Sequence, residues 1–154
     1  MSSHNSKWDR DVEVLLDGQK LAQRVRELGA QITADYQGKS LCVVGILKGC
    51  FVFYADLVRA LDLPLATEFI GISSYGSDTE SSGVVQITSD LSRSIEGLDV
   101  LVVEDIIDTG LTMRYLIDNF QTRRPRSLKI CTLLQKPDNT RVKVPIDYIG
   151  FTIP

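Results

Sequence analysis

The sequence predicts an α/β domain built on a doubly wound, mostly parallel sheet with helices on both faces. LCVVGIL (41–47) is a continuous apolar run rich in β-branched residues, and DVLVVED (99–105) contains a second apolar run, VLVV. Such runs are typical of strands that are buried on both faces of a parallel sheet. Segments with helical spacing alternate with them, so strand–helix–strand occurs twice. A single domain spanning residues 1–154 is expected, since this length buries a core without disulfides or metal.

The first half of the chain begins with residues 1–11, which are predicted to form a loose N-terminal arm. A helix is predicted from about Gly18, because apolar residues then recur on one helical face. The residues on that face are Leu21, Val25, Leu28 and Ile32. Lys48-Gly49 ends the first strand, and a second helix follows. Its predicted apolar face consists of Phe51, Tyr54, Val58 and Leu61.

The second half continues with strands at 65–72 and 84–88, separated by the polar, glycine-bearing stretch SSYGSDTESSG (73–83). That stretch has no periodicity and is predicted to be a long mobile loop. The strand DVLVVED is expected to end at Asp105. Gly110 then opens a helix, and the last strands are predicted at 127–135 and 146–151. The apolar face of that helix consists of Met113, Ile117 and Phe120.

Composition narrows the classes of function. The net charge of −3 argues against a general nucleic-acid binder, which is normally basic. No run approaches the length of a membrane span, so no membrane partner is expected. The only histidine, His4, lies in the polar N-terminal tail, which disfavours catalysis by serine–histidine or cysteine–histidine pairs. Cys42 and Cys131 lie inside apolar runs and are predicted to be buried free thiols, which suits a reducing cytoplasm.

Three carboxylates gather where one buried strand ends, in VLVVEDIIDTGLT (100–112). Glu104 and Asp105 close the strand, and Asp108 follows immediately before Thr109-Gly110. Ligands of open parallel sheets bind beyond the carboxyl ends of the strands. A helix start offers free N–H groups to a phosphate, while the acids require hydroxyl donors or a cation. A ribose phosphate with Mg²⁺ meets both needs, with the phosphate on the loop and the sugar on the acids.

Two other interpretations of these residues stay open at this point. In the first, Asp108 or Thr109 simply caps the helix, and Glu104 and Asp105 form salt bridges. Asp108-Thr109-Gly110 also matches the DTG of aspartic proteases, which use two such aspartates. A single copy would require a symmetric dimer, and a following helix with two preceding acids does not suit the protease context.

The motif closely resembles the phosphoribosyl-diphosphate-binding motif of type I purine phosphoribosyltransferases, in the hypoxanthine (hypoxanthine-guanine) branch. The resemblance extends over nearly all of the chain after the arm. The quoted stretches that carry it are GILKGCFVFYADL, SSYGSDTESSG, LLQKP and DYIGFTIP. It implies Mg²⁺-dependent transfer of a phosphoribosyl group to purine N9 with release of diphosphate. It also implies a homodimer or homotetramer with small-molecule substrates, namely phosphoribosyl diphosphate and a purine base.

The resemblance also implies roles for single residues. Glu104 and Asp105 would bind the ribose hydroxyls and help place Mg²⁺, and Asp108 would accept a proton at purine N7. Lys48-Gly49 would form the diphosphate loop, with a cis peptide bond between Leu47 and Lys48. The remaining assignments are the 5′-phosphate loop, which runs from Asp108 through Thr109, Gly110 and Leu111 to Thr112; the mobile-loop pair Ser74-Tyr75; and Lys136, which would donate to the 6-oxo group of the base.

The family pattern normally continues beyond a segment such as FTIP (151–154). We therefore expect the C-terminal part of the family's usual chain, with its base-stacking aromatic residue, to be absent from these 154 residues. This leaves two alternatives to the enzyme: a non-catalytic module that senses a nucleotide or phosphoribosyl diphosphate, and an inactive truncated form. A proton acceptor at Asp108 disfavours the sensor, which has no use for one.

Overall fold

Three α-helices and six strands lie in the parts of the chain that the computed structural model describes, residues 13–74 and 85–154. The helices are α1 (Gly18–Asp35), α2 (Phe51–Arg59) and α3 (Leu111–Gln121). The strands are β1 (Leu41–Leu47), β2 (Leu65–Ser74), β3 (Val85–Ser89), β4 (Asp99–Ile107), β5 (Ser127–Gln135) and β6 (Tyr148–Thr152). A short 3₁₀ turn, Pro137–Asn139, follows β5. The predicted arm at residues 1–11 lies outside the described residues.

The six strands form one sheet in the order β3-β2-β1-β4-β5-β6. Every neighbouring pair is parallel except β2 and β3, which are antiparallel. The predicted doubly wound, mostly parallel sheet is therefore confirmed. The order reverses between β1 and β4, and in sheets of this kind the crevice above such a reversal is where ligands bind.

The helices cover both faces of the sheet and create two cores. On one face α1 and α2 bury Leu28, Ile32 and Leu57 against odd-numbered residues of β4 such as Leu101. On the other face α3 buries Leu116 and Phe120 against even-numbered residues such as Val102. Strands buried on both sides need no polar face, which explains the continuous apolar runs of β1 and β4.

The predictions for α2 and for the end of β2 were wrong in detail. Phe51 was assigned to the buried face of α2, but it is 64% exposed. The helix instead turns Phe53, Tyr54 and Leu57 inward. The polar loop was predicted to start at Ser73, but β2 runs on to Ser74 because its last residues pair with β3. Spacing alone does not reveal which of two overlapping apolar faces meets the sheet.

A long-range contact joins the first helix to the last strand. The Arg24 guanidinium in α1 donates to the backbone carbonyls of Ile149, at 2.7 Å, and Gly150, at 2.9 Å. These carbonyls belong to β6, which is an edge strand with one open side. A charged donor on two carbonyls is a strong form of hydrogen bond, so Arg24 secures β6 to the body of the domain.

The buried carboxylate at the start of β4 is expected to make the free energy of unfolding fall as the pH becomes acidic. Asp99 is only 3% exposed. It accepts hydrogen bonds from the guanidinium of Arg126 and, at 2.7 Å, from the hydroxyl of Ser127. The Arg126 hydrogen bond is the main cause that holds the pKa of Asp99 below its ordinary 3.8. A lowered pKa stabilises the folded state above the unfolded pKa, and this contribution is lost as pH falls through the folded pKa.

We therefore expect Arg126→Ala to lower the free energy of unfolding at neutral pH and to lose this effect in acid. Urea titrations at about pH 7 and about pH 3 would measure the parent–variant difference, which is expected to shrink at the lower pH. Arg59→Ala is the matched control, because Arg59 pairs with Asp56 on the surface of α2. A difference of the same size at both pH values would contradict the assignment of Asp99 as the titrating group.

The cysteines and the helix lengths agree with the composition. Cys42, Cys50 and Cys131 are all free and buried, which confirms the prediction made for Cys42 and Cys131. Within residues 13–74 and 85–154, none of the helices combines the length and the apolar character that crossing a membrane requires.

Candidate active site

The candidate residues meet at the carboxyl ends of adjacent strands. β1 ends at Leu47 and is followed by Lys48-Gly49, while the neighbouring parallel strand β4 carries Glu104 and Asp105 near its end. The chain then leaves β1 toward α2 on one face and leaves β4 toward α3 on the other. This divergence opens the crevice at the reversal of strand order.

The acidic pair, Glu104 and Asp105, lies inside β4 rather than at its end. The strand was expected to stop at Asp105, but it continues to Ile107 because Ile106 and Ile107 still pair with β5. Both acids nevertheless line one cavity of about 210 Å³. Consecutive side chains of a strand point to opposite faces of the sheet. Because Glu104 and Asp105 lie near the carboxyl end of the strand, both can still reach the same cavity.

The two acids interact closely with each other. The backbone N–H of Asp105 donates to Oε1 of Glu104 at 3.0 Å. The pKa of Glu104 is raised from 4.5 to about 9, first by burial and then by the side-chain hydrogen bond and the negative charge of Asp105, while the backbone N–H bond acts in the opposite direction. Among the described residues, neither acid forms an ion pair with lysine or arginine. Within the described part of the chain the pair thus has no cationic partner, which leaves it available to a ligand.

The loop after β1 packs directly onto the acidic pair. The peptide bond between Leu47 and Lys48 is cis, as the resemblance implied. Gly49 lies so close to Asp105 that an added Cβ would stand 2.8 Å from Oδ2 of the carboxylate. The lack of a side chain at Gly49 therefore allows the loop and the acids to share one site, while Lys48 is exposed beside them.

The predicted 5′-phosphate loop, residues 108–112, leads from β4 into α3. Gly110 is the residue that caps the helix, with a positive φ of 87° that side-chain-bearing residues rarely adopt. The hydroxyl of Thr109 accepts a hydrogen bond from the N–H of Leu111 at 3.3 Å. The remaining N–H groups of the first turn have no partner inside the helix. All residues of the loop except Leu111 line the 210 Å³ cavity.

The helix-capping interpretation of the acids does not fit this geometry. Asp108 is exposed, and no side chain caps α3, since Gly110 occupies the cap position. Thr109 contributes only the one hydrogen bond to Leu111. Asp108 is also free of ion pairs among the described residues. The three carboxylates therefore lack a structural role that would explain their grouping.

A second cavity of about 330 Å³ adjoins the first on the β5 side. Asp108 lines both cavities, so a ligand that filled the two would pass this carboxylate. Lys136 follows β5, and its backbone N–H donates to the carbonyl of Ile107 at 3.0 Å. Its neighbours Gln135 and Pro137 line the second cavity. Lys136 is thus attached to the end of β4.

The buried thiol beside the site is poorly suited to nucleophilic chemistry. Cys50 is fully buried at the start of α2. Burial, with smaller contributions from the charges of Glu104 and Asp105, raises its pKa to about 12. Only the thiolate is a good nucleophile, so Cys50 functions here as a small packing residue.

The remaining candidates are only partly covered. Ser74 ends β2, next to β1 in the sheet, and Tyr75 lies outside the described residues, as does most of the predicted mobile loop.

Sequence reasoning missed the contribution of the segment after Lys136. Its residues line the second cavity, although the polar stretch DNTRVKVP resembles an ordinary connection. The residues concerned are Pro137, Thr140, Val142, Lys143, Val144 and Ile146.

Comparison with known proteins gives a consistent result. A family model described as a phosphoribosyl transferase domain matches residues 11–154. A hypoxanthine-guanine phosphoribosyltransferase of Dictyostelium discoideum is 51% identical over 146 residues, which cover 92% of this chain and 81% of that protein.

Two solved structures share the fold. The crystal structure of a hypoxanthine phosphoribosyltransferase from Staphylococcus aureus superposes with a TM-score of 0.92 at 45% identity, covering 98% of this chain and 83% of the other. A Trypanosoma cruzi hypoxanthine phosphoribosyl transferase, solved to define how its C-terminal region affects oligomeric state and activity, gives 0.86 at 41% identity. That match covers 92% of this chain and 78% of the other.

Proposed function

Because this chain belongs to the phosphoribosyl transferase family, as a hypoxanthine phosphoribosyltransferase of purine salvage, we propose that it uses 5-phosphoribosyl 1-diphosphate and hypoxanthine. The products are inosine monophosphate and diphosphate, and guanine is the second candidate base. The observation that carries this proposal is the meeting of an acidic pair, a lysine-glycine loop and a helix start in one crevice. These groups match the sugar, the diphosphate and the 5′-phosphate of the substrate.

The phosphoribosyl group is proposed to be recognised by two neighbouring parts of the chain, the end of β4 and the loop that follows it. We assign the ribose hydroxyls to Glu104 and Asp105, which have no cation within the described protein. The 5′-phosphate is assigned to the loop of Asp108, Thr109, Gly110, Leu111 and Thr112. Supporting this is the start of α3, where free N–H groups and the helix dipole favour an anion.

The acidic pair fits Mg²⁺ only when the substrate takes part in binding it. The described residues contain no group of three or more side chains able to hold a metal. Mg²⁺ is commonly bound through one or two carboxylates together with substrate phosphates and water, which is the donor set that Glu104, Asp105 and a diphosphate would supply. When bound, the ion would neutralise charge on the departing diphosphate. Lys48, exposed at the end of β1, would add a second positive charge there.

Asp108 is the proposed proton acceptor. In the reaction the bond between C1′ and the diphosphate oxygen breaks, and its electron pair leaves with the diphosphate. The purine N9 forms the new bond to C1′, and the proton on N7 passes to the Asp108 carboxylate. The position of Asp108 between the two cavities supports this assignment, because sugar and base would meet beside it.

The base is assigned to the cavity on the β5 side, with Lys136 donating to its 6-oxo group. The backbone hydrogen bond from Lys136 to Ile107, the residue directly before Asp108, supports the assignment. Ser74 and Tyr75 are proposed to belong to a loop that closes over the reacting atoms and excludes water. Since hypoxanthine, guanine and xanthine all carry the 6-oxo group, Lys136 alone would not distinguish them.

A turnover assay with each of the three bases, with and without Mg²⁺, tests this function directly. We expect nucleotide and diphosphate to form with hypoxanthine when Mg²⁺ is present and to fall to background when the ion is removed with EDTA. Returning Mg²⁺ should restore the rate. Tight binding of phosphoribosyl diphosphate without diphosphate release on addition of any base would contradict the proposed activity.

We also propose that the chain forms a homodimer or homotetramer. The support is an apolar surface on the first turn of α2, where Phe51 is 64% and Val52 is 57% exposed. Phe69 of β2, which packs against Tyr54 of the same helix, extends it. Exposed apolar patches often mark association surfaces, and a two-fold pairing would cover the same patch on both copies.

Replacing Phe51 with glutamate is expected to shift the protein to monomers, because the charge would be buried in the contact. Sedimentation velocity across a range of concentrations would measure the shift. Val14→Glu is the control, since Val14 is 74% exposed and lies before α1. An unchanged sedimentation coefficient for the Phe51 variant would place the contact elsewhere.

The location we propose is a reducing compartment, the cytoplasm. All three cysteines are free and buried. Disulfides form and persist in oxidising compartments, so three unpaired thiols favour the reducing alternative.

A further inference from the structure

The orientation of one peptide in the phosphate loop is set by a segment distant in sequence. The carbonyl of Thr109 accepts two backbone hydrogen bonds, from the N–H of Arg141 at 2.9 Å and from that of Val142 at 3.1 Å. The peptide between Thr109 and Gly110 is not among the cis bonds of the structure. In a planar trans peptide the carbonyl and the N–H point in opposite directions. The N–H of Gly110 therefore points away from Arg141 and Val142, toward the open side of the loop.

Close packing leaves this peptide little freedom. An added Cβ at Gly110 would overlap the carbonyl oxygen of Val142, so the two backbones are in direct contact. At one end of the segment, Lys136 is joined to Ile107 by the hydrogen bond described above. At the other end, Arg114 of α3 donates to the carbonyl of Lys143 at 3.4 Å. The segment is thus fixed to the loop and to the helix that follows it.

We propose that residues 136–143, the bracing segment, position the phosphate loop for the 5′-phosphate of the substrate. The N–H groups of Arg141 and Val142 fix the direction of the Thr109 carbonyl. The N–H of Gly110, on the same peptide, then points toward the ligand. The same segment starts at Lys136 and lines the second cavity, to which the base is assigned. The segment therefore connects the base side of the site to the phosphate side. This inference rests on the proposed function, since it assigns the loop to a phosphoribosyl ligand.

The decisive variants remove the N–H of residue 141 and leave the rest of the site intact. Arg141→Pro does so, and the preceding Thr140 has φ −61° and ψ 121°, an extended conformation compatible with a following proline. Arg141→Ala is the matched control, because it removes the side chain and keeps the N–H. A second route replaces the amide N–H by an ester oxygen at position 141. The natural Cys131 allows a synthetic peptide of residues 131–154 to be ligated to the rest of the chain for this purpose.

Calorimetry would measure the affinity of each full-length protein for phosphoribosyl diphosphate and for pyrophosphate, both with Mg²⁺. Loss of one hydrogen bond is expected to weaken phosphoribosyl diphosphate binding by about two- to tenfold in the proline and ester forms. Binding of pyrophosphate, which has no 5′-phosphate, is expected to stay unchanged. In turnover assays KM for phosphoribosyl diphosphate should rise by a similar factor, while kcat stays within about twofold of the Arg141→Ala value.

The outcomes separate this inference from the function on which it rests. Equal affinity of the ester form and the Arg141→Ala protein for phosphoribosyl diphosphate would overturn the bracing role and leave the proposed function standing. An equal loss of pyrophosphate affinity would also overturn it, because the damage would then be general. If Arg141→Pro does not fold, the ester form decides. If the parent protein itself does not bind phosphoribosyl diphosphate, the proposed function fails first.

Discussion

Replacing Asp108 with asparagine is expected to slow nucleotide formation by about 10²-fold or more, the scale of general acid–base catalysis. The amide keeps the size of the side chain but cannot accept the proton from N7 of the base. Binding of phosphoribosyl diphosphate is expected to change little, because the N–H groups of the loop remain. Steady-state kinetics with hypoxanthine would therefore show a large fall in kcat with a small change in KM.

A charge-matched control distinguishes this effect from a general change in electrostatics. Asp62 is exposed between α2 and β2, close to the amino ends of the strands and far along the sheet from the crevice. Asp62→Asn removes the same charge, and we expect its kcat to equal that of the parent. If the Asp108 variant turns over as fast as the Asp62 variant, Asp108 is not the proton acceptor.

The second large effect is expected for Gly110→Ala. Two costs combine at this position: the left-handed backbone with φ 87°, and the overlap of a new Cβ with the Val142 carbonyl. The conformational cost is about 1 to 2 kcal/mol, and overpacking against a fixed backbone adds about 1 to 3 kcal/mol. We expect the free energy of unfolding to fall by at least about 2 kcal/mol. The loop would also move, so that affinity for phosphoribosyl diphosphate is lost.

The chain itself provides the control that separates these two costs. Gly97 also has a positive φ, 73°, but an added Cβ would meet nothing within 4 Å. Gly97→Ala is therefore expected to lower the free energy of unfolding by only about 1 kcal/mol and to leave turnover unchanged. Urea denaturation and kinetics on both variants would measure the difference. Equal destabilisation and equal activity of the two variants would show that the contact between Gly110 and Val142 contributes neither to stability nor to activity.

The sheet was predictable because its strands are buried on both sides. The predicted strands at 41–47 and 127–135 coincide with β1 and β5, and the apolar run of β1 leaves no choice of face. Helix faces were less certain where apolar residues lie all around the helix, as in α2, whose first residue Phe51 is exposed. The end of β4 was placed two residues early, because side-chain chemistry suggested a break where backbone pairing with β5 in fact continues.

The site was predictable only where chemistry is concentrated in a short stretch. The three acids and Thr109-Gly110 lie within a few residues of one another, and no structural role explains their grouping. The resemblance extended this to Lys48 and Lys136. The backbone donors of Arg141 and Val142 had no such signal, because any residue except proline supplies an N–H and the partner carbonyl is thirty-odd positions away. Contacts between distant backbones are set by the fold as a whole.

The hydrogen bonds from Arg24 to Ile149 and Gly150 affect how the protein folds during its synthesis on the ribosome. The contact joins residues separated by 125 and 126 positions, so it forms only after β6 has left the exit tunnel. Until then β5 presents an open edge to other nascent chains, a state prone to aggregation. Closure of that edge therefore waits until β6 has been synthesised and has emerged.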